Sequence, residues 1–94
     1  MHIGLLTLFL NLPGCTSLKE KRSRLKPLLI RLHREFNVST AEMDHNDAWQ
    51  EAMICCAMVS NDTSLTQRAL QHIVSWVETH WPDVSIESDK IEII

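Results

Sequence analysis

The densest polar cluster in this chain is Asp44-His45-Asn46-Asp47, with Trp49 close behind. A histidine between carboxylates has the residue types of an acid/base pair or of two ligands to a metal ion. The spacing matches no strong metal motif, and Asx residues at a hairpin satisfy the turn backbone equally well. Asp44, His45 and Asp47 are therefore a minor candidate site, and a structural turn is the leading reading. Cys15 stands just ahead of a helix start, where a thiolate is stabilised, but no base accompanies it. Cys55 and Cys56 are adjacent in an apolar run. Neighbours on a strand point to opposite faces, so these two do not share a disulfide. Reduced, buried thiols in a cytoplasmic protein are the simplest reading. His2, His33, His72 and His80 are isolated and read as surface residues. No catalytic residue, metal site or cofactor emerges.

The other chemistry is charge. Residues 17–36 hold seven of the nine Lys and Arg residues: Lys19, Lys21, Arg22, Arg24, Lys26, Arg31 and Arg34. With Glu20 and Glu35 subtracted the segment carries +5, against −3 for the whole chain and hence −8 for the remainder. Several flexible cations on one convex surface suit contact with a phosphate backbone rather than base reading. A solvated helix face, or one that meets an acidic protein surface, is the alternative.

The elements that position these residues follow from periodicity. Residues 2–12 alternate, with Leu6, Leu8, Leu10 and Leu12 on one face and Leu5, Thr7, Phe9 and Asn11 on the other, which is a strand. The stretch lacks a basic leader region and is too short to span a bilayer, so it reads as a core strand and not an address. Pro13-Gly14 ends it. Ser17 with Glu20 forms a capping box for a helix to Phe36. Leu18, Leu25, Leu28, Leu29, Leu32 and Phe36 share a stripe about 100° wide, with Lys21 and Arg22 at its edges. Pro27 lies opposite the stripe and is expected to kink or split the helix around residues 23–27.

A second strand is expected over residues 37–44 and a third, apolar on most of both faces, over 50–59. A second helix, capped by Asp62, Thr63 or Ser64, runs to about Thr79. It buries Leu70, Ile73, Val74 and Val77. Trp76 falls to the side of that face, where with Leu65 and Ala69 it is either an interface patch or a Trp folded over the sheet edge. A last strand covers 84–94, with an interruption near Ser88-Asp89.

The order β-α-β-β-α-β predicts an α+β, ferredoxin-like sandwich over residues 1–94. Its four-stranded antiparallel sheet has strand order 4-1-3-2 and carries both helices on one face. The other face is open unless something covers it. Its third strand has no aromatic and its first only Phe9, which argues against base stacking there. Leu5 and Phe9 favour a partner surface instead, most simply a second copy in a homodimer.

Several spaced motifs resemble one family: Pro13-Gly14, SLKEKR at 17–22, FNVS at 36–39, AE-x-DH-x-D-x-WQ at 41–50, VSND at 59–62 and a closing IEI at 91–93. Together they are similar to the YlxP-like bacterial domains of unknown function. The resemblance covers nearly the whole chain and implies a ferredoxin-like fold in a cytoplasmic bacterial protein, with genes for translation and ribosome maturation as neighbours. It brings no activity and no catalytic residues. Pro27 and Cys55-Cys56 depart from the family pattern. The resulting expectation is a non-enzymatic, homodimeric binding domain whose basic helix contacts RNA or the ribosome. A protein-interaction adaptor that meets an acidic surface is the alternative, and an enzyme at the 44–47 turn comes last.

Overall fold

The computed structural model describes residues 1–43 and 48–94. The elements run β1 (His2–Asn11), α1 (Leu18–Phe36), β2 (Ser39–Met43), β3 (Glu51–Ser60), α2 (Thr63–His80) and β4 (Ser85–Ile93). The sheet is four-stranded and ordered β2-β3-β1-β4, with antiparallel pairing throughout. This is the predicted ferredoxin-like topology.

β1 is the hub. It pairs along its full length with β3, from His2 opposite Ser60 to Asn11 opposite Glu51, and on its other side with β4. Its alternation appears directly in burial: Leu6, Leu8, Leu10 and Leu12 are fully buried under the helices. They pack with Leu25, Leu28 and Leu32 of α1, Leu70, Ile73 and Val77 of α2, and Ile54 and Cys56 of β3.

β4 shows why a run with apolar residues at 86, 91 and 93 can still face one core. Phe9 pairs with Ser88 but Leu10 pairs with Ile86, so Glu87 is an extra residue in the ladder. This bulge shifts the side-chain phase by one. Ile86 therefore shares the inner face with Ile91, and both pack against the core. The expected interruption is real and lies at Glu87, one residue earlier than its sequence position suggested.

α1 runs as one continuous helix from Leu18 to Phe36 through Pro27. It is not split there: Pro27 is exposed on the outer side, while its neighbours Leu25 and Leu28 are buried on the core side. The capping box forms by half. Ser17 Oγ accepts from the Glu20 amide at 3.0 Å, while the Glu20 carboxylate accepts from Thr16 Oγ1 and Arg24 instead of turning back to the cap. Asn37 ends the helix in the left-handed region with φ 52°. The second strand accordingly begins at Ser39, two residues later than expected. Asp62 is the cap of α2, its side chain accepting from the Leu65 amide at 3.1 Å.

α2 seats on β1 at Gly4, where a Cβ would overlap Thr66 Cγ2 and meet Leu70 Cδ1 at 3.0 Å. Thr66 is fully buried, and its hydroxyl hydrogen-bonds Ser60 Oγ at 2.6 Å. Gly4→Ala should lower unfolding stability by about 1–3 kcal/mol through overpacking. Gly4→Ala/Thr66→Ser removes the opposing methyl but keeps the hydroxyl, and should recover part of that loss in denaturant melts. Equal losses in the single and double variants would refute this packing account.

Candidate functional site

α1 presents cations around most of its circumference, but they divide into two sets by what they touch. Lys21 is only 5% exposed, and its Nζ donates to the Ala48 carbonyl at 3.1 Å. Its position at the edge of the apolar stripe buries the aliphatic stem, and the ammonium reaches out to the chain entering β3. Arg24 forms a fork on Asp83, with Nε to Oδ2 at 2.9 Å and Nη2 to Oδ1 at 3.2 Å. The same guanidinium donates to the Asp83 carbonyl at 2.7 Å and the Pro13 carbonyl at 2.9 Å. It also contacts Glu20 at 3.5 Å. The Asp83 hydrogen bond raises the Arg24 pKa above its ordinary value. Arg24 thus ties the β1–α1 loop, α1 and the α2–β4 loop together.

Arg31 lies 5.3 Å from the centroid of the Trp76 ring and pairs with Glu35 at 3.3 Å. Trp76 itself is 8% exposed and belongs to the core, which corrects its reading as an interface residue. It is walled by Phe36 edge-on at 5.7 Å, stacked His80 at 5.0 Å and Trp81 at 6.2 Å. Phe36 of α1 and the rings of His80 and Trp81 at the end of α2 thus surround it. Of the candidate contact cations, Lys21 and Arg24 are held by these internal partners, while Arg31 stays 45% exposed beside Trp76 and Glu35. All three brace α1 against the rest of the molecule.

Lys19, Arg22, Lys26 and Arg34 make up the second set. All are exposed, and none pairs with a carboxylate among the described residues. At 100° per residue they fall within an arc of about 120° on the outer side of the helix. Glu20 and Glu35 lie outside that arc, toward Arg24 and Arg31. One apolar side chain interrupts the arc: Ile30, 42% exposed. Sequence reasoning passed over it, although an isoleucine among outward cations was itself a signal. Ile30 lines a groove of about 430 Å³ with Lys26, Leu29, His33, Ser39 and Thr40, between α1 and β2.

On the opposite side of the sheet, the register places Ile3, Leu5, Thr7 and Phe9 in line with Val59, Ala57, Cys55 and Met53, and with Ala41 and Met43 beyond. Val59 is 63% exposed and Met43 41%. Leu5 and Phe9 are half-buried by their strand neighbours alone. Among the described residues, charge on this face is confined to its margins, with Lys90 and Glu92 on β4 and Glu51 at the end of β3. The turn candidate Asp44, His45 and Asp47 lies outside the described residues. Among the described residues no cluster of three or more His, Cys, Asp and Glu is placed to hold a metal ion. No helix among them is long and apolar enough to cross a membrane.

The thiols separate by face. Cys56 is buried in the core, and desolvation, with a smaller contribution from Cys55, pushes its pKa from 9.0 up to about 12. Cys55 lies on the open face beside Thr7 Oγ1, 3.7 Å away. Iodoacetamide applied to dilute native protein should alkylate Cys55 first and spare Cys56 and buried Cys15 until unfolding, as read by peptide mass spectrometry. Between pH 9 and about 12 the unfolded chain releases a proton from Cys56 that the folded chain keeps. That contribution to stability is complete below pH 9 and should decline as pH rises above it.

With this geometry in view, comparison with known proteins gives a consistent placement. Uncharacterized protein YlxP of Bacillus subtilis (strain 168) is 37% identical over 68 residues, which are 72% of this chain and 73% of that protein. Solved structures share the fold at low identity. A structural-genomics protein, YJCS, matches with a TM-score of 0.57 at 11% identity, over 96% of each chain. A dabb family protein with a ferredoxin-like fold from Mesorhizobium loti matches with a TM-score of 0.52 at 15% identity, over 99% of this chain and 94% of that one. The de novo designed protein Foldit4 matches with a TM-score of 0.54 at 11% identity, over 100% of this chain and 97% of that one. The family model described as protein of unknown function (DUF503) covers residues 3–90, and the chain belongs to that family, that of the YlxP-like domains.

Proposed function

We propose that the protein is a non-enzymatic cytoplasmic binding domain that contacts RNA through the outer face of α1. The observation that carries this reading is the division of the cations. Lys21, Arg24 and Arg31 hold the fold, whereas Lys19, Arg22, Lys26 and Arg34 stand together without acidic partners among the described residues. A row of mobile cations with no aromatic platform supports contact with phosphates and gives little basis for sequence readout. Structured RNA of the kind found in assembling ribosomes offers such a surface.

Four phosphate contacts predict a log–log salt slope of about −3 to −4, the steeper value for duplex segments of structured RNA. Substituting Lys19, Arg22, Lys26 and Arg34 together by Gln should abolish binding at low salt while leaving the melting temperature near that of the parent. Arg24→Gln should do the reverse, lowering the melting temperature while the folded fraction still binds. Absence of binding to total RNA at low salt, or a quadruple variant that binds normally, would sink the reading.

A second copy of the chain is the occupant we assign to the open sheet face. Its uncharged centre and charged margin fit an isologous contact, in which Leu5, Phe9, Met53 and Val59 meet their equivalents. Because both helices lie on the other side of the sheet, such a dimer would leave both α1 arcs facing outward and double the cationic surface. Val59→Lys should convert the dimer to a monomer in sedimentation equilibrium. Alkylation of Cys55 should slow as parent concentration rises and should not slow in the variant. A parent that stays monomeric at high concentration would rule the dimer out.

A further inference from the structure

The groove between α1 and β2 is used by neither of these surfaces, although Lys26 stands on its rim. Among the described residues β2 has a strand neighbour on one side only, β3. An edge strand exposes a row of unpaired amides and carbonyls, and proteins commonly blunt it with Pro, Lys or a bulge. Ser39–Met43 contains no Pro and no Lys, and its register with β3 runs without a shift; its one charge is Glu42, on the helix side opposite Ile54, and the strand is short at five residues. The groove beside it is floored by Leu29 and Ile30. Its walls are fixed by two ties. Thr40 Oγ1 donates to the Leu29 carbonyl at 3.1 Å, and His33 Nδ1 bonds the Val38 carbonyl at 2.9 Å. Since that carbonyl only accepts, Nδ1 carries a proton, and Nε2 is the nitrogen left to a ligand.

We propose that this edge binds an extended acidic peptide, which adds alongside β2 as a further strand and seats one apolar side chain in the groove between Lys26 and His33. Three observations select this occupant. The edge offers backbone groups at strand spacing, which a polypeptide matches and a nucleic acid does not. The groove is apolar and ready-formed, so a side chain enters without rearrangement. The rim is cationic, with Lys26 in it and Arg22 and Arg34 on the same outer arc of α1, so acidic residues flanking the apolar one gain where basic ones lose. The same charge disfavours a second copy here, because symmetric pairing of two β2 edges brings Lys26 of each copy toward that of the other.

The probe is a blocked, fluorescein-labelled nonapeptide of alternating Glu and Val, with a Lys/Val peptide of the same pattern as control. Anisotropy should show saturable binding of the acidic peptide alone. Ile30→Ser should weaken it about tenfold and Lys26→Glu by at least as much. Hydrogen exchange should show peptide-dependent protection of amides within Ser39–Met43. Ile30→Ser leaves every cation in place, so it should not alter RNA binding, and the two readings can fail separately. Equal binding of both peptides, or none, overturns the proposal. So does protection of β2 by RNA alone, or by raised protein concentration without peptide, which would assign the edge to nucleic acid or to a second copy.

Discussion

Two helices can roof only one face of a four-stranded sheet, and that constraint governs this molecule. β1 turns it into a fold. Its leucines at 6, 8, 10 and 12 all face the helices, so its register with β3 and β4 cannot slip by one residue without turning the whole apolar set outward. Gly4 on the same strand admits α2 closely enough that a methyl group would collide with Thr66. What the helices cover becomes core. What they leave uncovered is an apolar sheet face with charge only at its margins.

The second theme is how one helix serves the fold and still presents charge. The apolar stripe of α1 anchors it to the sheet, but a narrow stripe alone holds a 19-residue helix loosely about its own axis. Lys21, Arg24 and Arg31 correct this by gripping Ala48, Asp83 and Trp76 in three separate parts of the chain. Exposed ion pairs contribute little each, and Asp83 is half exposed, so the Arg24 contacts act chiefly as locators of loops. Once the helix is braced, its outer cations can be aimed as a group.

Much of this was legible in sequence for identifiable reasons. Period-two alternation gave β1, the apolar stripe gave the face of α1, and the element order gave the topology. Charge partnership was not legible. Arg24 finds Asp83 at a separation of 59 residues, and no local pattern encodes that pairing. Trp76 was misjudged because a helical wheel weighs one helix at a time, whereas Phe36, His80 and Arg31 enclose it from two. Pro27 suggested a broken helix because its missing amide is a local fact, while the packing that holds the helix together across it is not. The groove at Ile30 needed β2 to be placed before it existed at all.

The bulge at Glu87 gives the sheet a sense of direction. It brings Ile86 into phase with Ile91, and it also leaves the β4 margin kinked, with Glu87, Asp89 and Glu92 along a strand that carries one lysine. A bent, acidic margin is a poor template for another strand. The β2 margin has no bulge and carries a single acidic residue, Glu42. Head-to-tail stacking of copies into open fibres needs two receptive margins, and a bulged, acidic β4 disfavours one of them. The residue that looks like a defect in the ladder therefore makes the two margins of the sheet unlike.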